Sequence, residues 1–114
     1  MKRLSQGFRY ALAGLQLAWR EEANFRIDVV CALMVSALGL YLHVPPLQFC
    51  VLILIMSGVL AAETFNTALE ELCDKFQPTH DPHIAKIKDL AAAAVLLASV
   101  GALIVGLIIF LPYL

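Results

Sequence analysis

Charged residues are scarce in this chain. Only 15% of its 114 residues are Asp, Glu, Lys or Arg, whereas 61% are hydrophobic, and the mean hydropathy is +0.84. A water-soluble domain of this size needs far more polar surface than this composition supplies. The composition therefore predicts a small integral membrane protein.

The sequence also lacks the short motifs of several common binding sites. None of its six glycines forms G-x-x-x-x-G-K-[ST] or G-x-G-x-x-G, which excludes the two usual nucleotide-binding loops. The three cysteines have no paired spacing and are interpreted as packing residues. His80 and His83 could bind a metal if both lay on a helix, but they flank Asp81 and Pro82, which favours a solvated or phosphate-facing loop.

Three long apolar runs predict three membrane-spanning helices. They lie at about residues 27–44, 47–72 and 90–111. All eight Lys and Arg residues fall within residues 1–28 and 73–89, whereas the connection 43–48 carries no charged residue. By the positive-inside rule, the N-terminus faces the cytoplasm and the C-terminus faces outward. We expect one membrane-embedded domain, residues 1–114, in the cytoplasmic (inner) membrane.

An amphipathic helix is predicted before the first span, at about residues 4–20. Its apolar residues recur at spacings of three and four, as on one face of a helix: Leu4, Phe8, Leu12, Leu15 and Trp19. Such a helix can lie on the inner leaflet, or the same stripe can pack against the protein's own helices. Charged residues interrupt the apolar stretch that a cleavable signal peptide would need.

Five polar residues are spaced to share one face of the helix that contains the second predicted span and its charged cytoplasmic extension: Glu63, Asn66, Thr67, Glu70 and Asp74. An ionisable residue in a membrane helix costs on the order of 3 kcal/mol, so such residues are functional candidates. The apolar run 47–62 is roughly 24 Å long, which places Glu63 near the inner edge of the hydrocarbon layer. A transporter would instead be expected to hold its charges near the midplane.

A group of carboxylates at the border between lipid and cytosol suits phosphate transfer from a soluble donor to a membrane lipid. Carboxylates can hold Mg²⁺, which bridges protein oxygens to substrate phosphates. Lys88 can neutralise phosphate charge, and Glu63 can act as a general base. A polar layer that only stabilises an oligomer is the alternative.

Three segments of the chain resemble the prokaryotic diacylglycerol kinase family, which includes the undecaprenol kinases. They are residues 63–70 with Asp74, residues 88–97, and residues 19–26. The resemblance implies a small lipid kinase with a surface helix and three membrane helices, assembled as a homotrimer with active sites shared between subunits. Small residues along the third predicted span would permit the close helix contacts of such an assembly.

The resemblance also implies roles for individual residues. Glu63 matches the general base for the lipid hydroxyl, with Arg26 also placed at the lipid, and Glu22 and Glu70 match carboxylates that bind Mg²⁺ and ATP. Further positions match nucleotide-contacting or other active-site residues: Arg3, Tyr10, Asn66, Asp74, Thr79, His80, Asp81, Lys88 and Asp89. Asp81 replaces a histidine that is common in the family.

The identity of the lipid is predicted from finer features. Ala92 stands where the Gram-negative diacylglycerol kinases have a serine, and residues 24–28 and 106–112 look more like the Gram-positive branch. These features favour undecaprenol as the acceptor, with diacylglycerol as the alternative. A proton-coupled transporter that uses Glu63 and a non-catalytic membrane scaffold are the alternatives from other classes. No nucleic-acid partner is expected.

Overall fold

The structure is a computed structural model that describes residues 1–76 and 81–114. The described residues form four α-helices and a short 3-10 turn, with no strand among them: α1 (Lys2–Glu21), α2 (Ala23–Tyr41), α3 (Pro46–Phe76), α4 (Pro82–Phe110) and the turn Leu111–Tyr113. The predicted all-helical fold is confirmed. An all-helical chain is expected here because a backbone in hydrocarbon must satisfy its own hydrogen bonds.

Three helical segments are long and apolar enough to cross a membrane: Ala23–Tyr41, Pro46–Phe76 and Pro82–Tyr113. The predicted number of candidate spans is therefore confirmed. Helix α3 continues to Phe76 and α4 starts at Pro82, so both helices extend beyond their apolar runs into charged sequence. Asp81 caps α4 by accepting a 2.8 Å hydrogen bond from the His83 backbone N–H. His83 consequently lies in the first turn of a helix, and its predicted place in a loop is wrong.

Helix α2 ends in a Schellman motif that turns the chain into α3. The Val44 N–H donates to the Gly39 carbonyl at 3.2 Å, and the His43 N–H donates to the Leu40 carbonyl at 3.2 Å. His43 takes the left-handed conformation, with φ of 58°, that glycine usually occupies at this position. Pro45 then prevents α2 from continuing. The two helices are thereby joined by a turn of only a few residues.

The junction of α1 and α2 is a single extended residue, Glu22, with φ −113° and ψ 108°. Its backbone N–H donates to the Ala18 carbonyl at 2.9 Å. The Arg26 guanidinium reaches back from α2 and donates to the Trp19 carbonyl at 2.7 Å and to the Arg20 carbonyl at 3.1 Å. Arg26 therefore caps carbonyls that the end of α1 leaves unpaired.

Helix α3 is central, because it packs against both α2 and α4. Its fully buried Leu52 forms a small core with Val44 and Ile109 near the α2–α3 turn. Gly39 allows close approach at that turn, since a Cβ there would lie 3.2 Å from the Phe49 ring. Most other apolar side chains of the spans are exposed in the single chain.

The apolar stripe of α1 does not pack against the chain's own helices. All five of its residues are exposed, and Ala18 is the buried residue of this helix. The structure therefore argues against the alternative in which the stripe is covered by α2, α3 and α4. The stripe is therefore free to contact a membrane surface or another chain.

Candidate active site

Among the residues that the structure describes, Glu63 is the one charged residue that is buried. It lies in the middle of α3 and is 7% exposed, while every other polar or charged side chain described is more accessible. Burial of a carboxyl group is costly unless neighbouring groups or a ligand compensate for the lost water. This position is thus the natural starting point for a functional site.

Three further carboxyl groups surround Glu63. Asp28, from α2, lies within hydrogen-bonding reach of the Glu63 carboxyl, and Glu22 and Glu70 are its other electrostatic neighbours. The chain brings them together from the α1–α2 junction, from α2 and from α3. We call Glu22, Asp28, Glu63 and Glu70 the acidic group. Glu22, Glu63 and Glu70 were predicted site residues, whereas Asp28 was not assigned a role.

Asn66 lies in α3 between Glu63 and Glu70, two members of the acidic group. Its amide Nδ2 donates to Glu70 Oε1 at 3.3 Å, which ties the two side chains together one helical turn apart. Its Oδ1 atom is buried and finds no hydrogen-bond donor among the described residues. A buried acceptor without a donor costs about 1–3 kcal/mol. The Asn66 oxygen is therefore available to a donor or a cation that the chain itself does not supply.

Lys88 is held by a carboxylate of the neighbouring helix. Its Nζ lies 2.5 Å from Asp74 Oδ1, so the pair joins α4 to α3. Both side chains keep access to water, at 40% exposure for Lys88 and 64% for Asp74. An accessible ammonium group in a fixed position suits the binding of phosphate. Asp89 follows Lys88 in α4 and is exposed.

The structure describes four further predicted site residues outside the acidic group: Arg3 and Tyr10 on α1, Arg26 on α2 and Asp81 at the start of α4. Tyr10 and Arg3 are exposed on α1, 12 and 19 residues before Glu22, which corresponds to about 18 Å and 28 Å along the helix axis. Arg26 turns its guanidinium towards the α1 carbonyls. Thr79 and His80 lie outside the described residues. Asp81 is the N-cap of α4.

The oxygen donors of the acidic group fit a magnesium ion, although they do not form a complete cage. No group of three or more His, Cys, Asp or Glu side chains in residues 1–76 and 81–114 is arranged to hold a metal. Mg²⁺ does not need one, because it usually keeps several waters and binds one or two carboxylates together with substrate phosphates. Glu22, Glu70 and the unpaired Asn66 oxygen supply donors of the right type.

Comparison with known proteins adds evidence from the whole chain. The model of the family described as prokaryotic diacylglycerol kinase matches residues 9–110. A diacylglycerol kinase of Synechocystis sp. is 41% identical over 106 residues, which is 92% of this chain but 61% of that protein. The undecaprenol kinase of Bacillus subtilis is 32% identical over 112 residues, covering 98% of this chain and 91% of that protein. The diacylglycerol kinase of Escherichia coli K12 is 30% identical over 102 residues, covering 90% of this chain and 84% of that protein.

Proposed function

The chain belongs to the prokaryotic diacylglycerol kinase family of ATP-dependent lipid kinases, and we propose that its acceptor lipid is diacylglycerol. The identity of 41% to a diacylglycerol kinase, against 32% to an undecaprenol kinase, supports this choice. The comparisons thus favour diacylglycerol over undecaprenol, the acceptor predicted from the sequence. They also set aside the transporter and scaffold alternatives.

Undecaprenol is the second candidate because of one observation. The match to the Bacillus subtilis undecaprenol kinase covers 91% of that protein, whereas the match to the Synechocystis kinase covers 61% of its length. A lipid kinase must hold an alcohol group at the border between membrane and cytosol in either case. An assay that offers both lipids therefore decides between the two acceptors.

The observation that carries the mechanism is the buried Glu63 carboxyl beside Asp28. In the proposed reaction Glu63 accepts the proton of the lipid hydroxyl, whose oxygen attacks the γ-phosphorus of ATP in line with the departing ADP oxygen. Phosphoryl transfer depends mainly on positioning and on neutralisation of charge. Lys88, held by Asp74, would stabilise the negative charge on the transferred group.

Glu22 and Glu70 are the proposed ligands of Mg²⁺. When bound, the ion would neutralise charge on the ATP phosphates. Asn66 keeps Glu70 in place through the 3.3 Å hydrogen bond from Nδ2. Since Glu22 is the single residue between α1 and α2, the packing of α1 decides where its carboxylate lies.

The remaining nucleotide contacts are proposed to involve more than one copy of the chain. Arg3 and Tyr10 are too far along α1 to join the acidic group directly. In the most apolar stretch of Pro82–Tyr113, only 6% of the residues are buried within the chain. Helix α4 therefore has a large surface against which a second copy could pack. We propose a homotrimer with its N-termini in the cytoplasm, in which one copy contributes nucleotide contacts to the acidic group of another.

The test is a mixed-micelle assay of the purified protein with labelled ATP and Mg²⁺. Equal amounts of diacylglycerol and undecaprenol are offered separately and then in competition. We expect the label to enter diacylglycerol faster. Preferential labelling of undecaprenol would overturn the acceptor proposal, and labelling of neither lipid by folded protein would overturn the proposed reaction as well.

A further inference from the structure

Three cations of α1 lie along one edge of its apolar stripe. Lys2, Arg9 and Arg20 are separated by 7 and 11 residues, which are close to two and three whole helical turns. Around the helix axis they lie within about 20° of one another and about 110° from the centre of the stripe. We call these three residues the basic edge.

The side chains in the structure agree with this pattern. Lys2 and Arg9 line one shallow groove on α1, and Arg20 lines a second groove together with Leu12 and Trp19 of the apolar stripe. All three cations are exposed. None of them forms an ion pair within residues 1–76 and 81–114. The basic edge is therefore open to a partner and adjoins exposed apolar surface.

The other side of the stripe faces the chain itself. Gly14 and the buried Ala18 line a cleft with Thr64 of α3, and Glu21 and Glu22 line the same cleft. Around α1 the order is thus a side against protein, then the apolar stripe, then the basic edge. The carboxylates at the end of α1 are turned towards α3 and do not neutralise the basic edge.

Helix α1 extends to the side of the membrane spans. The molecule measures 50 × 40 × 22 Å. The 31 residues of α3 account for about 46 Å of the longest dimension. Three helices side by side are about 30 Å wide at most, so the 40 Å dimension includes α1 beside them. Because only Glu22 separates α1 from the span α2, the stripe lies at the border between hydrocarbon and water.

We propose that the basic edge binds the headgroups of anionic lipids, so that α1 collects negatively charged lipids from a mixed membrane. An apolar stripe by itself does not distinguish one headgroup from another. Lys and Arg beside it can lay their alkyl stems along the apolar surface and place their charges among lipid phosphates. This preference is a property of α1 that goes beyond the kinase reaction and does not depend on which lipid is phosphorylated.

The charge of α1 favours a membrane over a second copy as the partner. Residues 2–20 contain four Lys and Arg residues and no Asp or Glu. A symmetric contact between the α1 helices of two copies would bring together two surfaces that carry only positive charge. An anionic membrane complements both features of the helix, since it offers hydrocarbon to the stripe and negative charge to the basic edge.

Trp19 reports directly on the lipids beside the basic edge, because it is the one tryptophan of the chain and shares a groove with Arg20. The full-length protein is reconstituted in phosphatidylcholine bilayers that contain a minority of phosphatidylglycerol. In one sample the phosphatidylglycerol carries bromine on acyl carbons near the headgroup, as a quencher of tryptophan fluorescence. In the other sample an equal amount of the phosphatidylcholine carries it.

We expect brominated phosphatidylglycerol to quench Trp19 at least about twofold more strongly than brominated phosphatidylcholine, because each cation near an anionic surface favours binding by about fivefold. High salt should weaken this preference, since it screens exposed charges.

A neutral variant removes the basic edge with Lys2→Gln, Arg9→Gln and Arg20→Gln together, and should lose the preference. The matched control keeps the charge with Lys2→Arg, Arg9→Lys and Arg20→Lys, and should keep the preference. Since the three side chains are exposed, both variants should fold, which circular dichroism checks. In neutral detergent micelles without anionic lipid, both should be as active as the unmodified protein.

Equal quenching by the two lipids in the unmodified protein would overturn the proposal, and so would a preference that high salt leaves unchanged. A preference that persists in the neutral variant would assign it to cations other than the basic edge. If neither lipid quenches Trp19 in folded protein, a second copy covers the stripe and the proposal is wrong. The fluorescence measurement needs neither ATP nor an acceptor, so it stands even if the proposed lipid acceptor is wrong.

Discussion

Lys88 and Asp74 form an ion pair across helices α4 and α3, with Nζ 2.5 Å from Oδ1. The residues are 14 positions apart in the sequence, one on each side of residues 77–80. Water reaches both side chains, so the pair adds little to stability. Its effect is to keep the ammonium group of Lys88 in one place, where the C-terminal part of α3 lies beside the N-terminal part of α4.

Removal of the Asp74 charge should therefore impair phosphate binding by Lys88. We expect Asp74→Asn to lower kcat/KM for ATP by about tenfold, because the ammonium loses its anchor. Steady-state kinetics with varied ATP give this value. Glu71→Gln removes an exposed carboxylate one turn earlier in α3 and should leave it unchanged. Equal activity of the two variants would show that the ion pair does not position Lys88.

Glu63→Gln should abolish turnover while leaving ATP binding intact. The amide keeps the size of the carboxylate but cannot accept the hydroxyl proton, and loss of a general base costs about 100-fold or more. Turnover is measured in mixed micelles, and nucleotide binding by equilibrium dialysis. Asp28→Asn keeps the polar contact to Glu63 and should cause a smaller loss. Near-normal turnover of Glu63→Gln would remove Glu63 from the role of base.

Glu22→Gln should raise the Mg²⁺ concentration needed for half-maximal activity, because the ion loses a carboxylate ligand. The measurement is a Mg²⁺ titration of activity at saturating ATP. Glu21→Gln changes the adjacent, exposed carboxylate at the end of α1 and serves as the control. A common Mg²⁺ dependence for the unmodified protein and both variants would exclude Glu22 as a ligand.

Arg26→Gln should loosen the end of α1, since the hydrogen bonds to the Trp19 and Arg20 carbonyls are lost. We expect faster hydrogen exchange in the last turn of α1, with slower turnover. Arg9→Gln changes an exposed arginine of the same helix and is the control. If Arg26 instead acts by contacting the lipid, its loss will raise KM for the lipid while hydrogen exchange in α1 stays the same.

His43→Gly should stabilise the α2–α3 turn. A non-glycine residue in the left-handed conformation costs about 1–2 kcal/mol, part of which is offset by the greater freedom of glycine in the unfolded chain. A net gain of up to about 1 kcal/mol in the free energy of unfolding is expected. Denaturation in detergent measures it, with His43→Ala as the control. A loss of stability in His43→Gly would mean that the His43 side chain makes a stabilising contact.

The fold could be predicted largely from hydropathy. Three apolar runs identified the candidate spans because membrane helices must be long and continuous. The start of α4 was missed, although Asp81 followed by Pro82 is a recognisable helix start. That signal was interpreted as a loop because Asp and Pro are also typical of turns and loops.

The site was predicted less completely, because side-chain contacts depend on how the helices cross. The contact of Asp28 with Glu63 requires a particular rotation of α2 against α3, which spacing along one helix does not reveal. In the sequence, Asp28 lies at the start of the first predicted span, close to the membrane border where Glu63 was expected. That position was the signal that could have identified Asp28. The predicted roles of Glu63, Glu22, Glu70 and Lys88 stay predictions until the variants are assayed.

The small interior of the chain has a consequence for how its sequence can vary. Few side chains besides Leu52 and its neighbours are enclosed, so most apolar positions of the spans have no shape to fill within the chain. Exchange of one apolar residue for another at such positions changes the packing within the chain little, provided that the helix stays hydrophobic enough to insert into the membrane. Substitutions should therefore accumulate rapidly on the lipid-facing surfaces of the helices, and slowly around Glu63 and wherever a second copy packs.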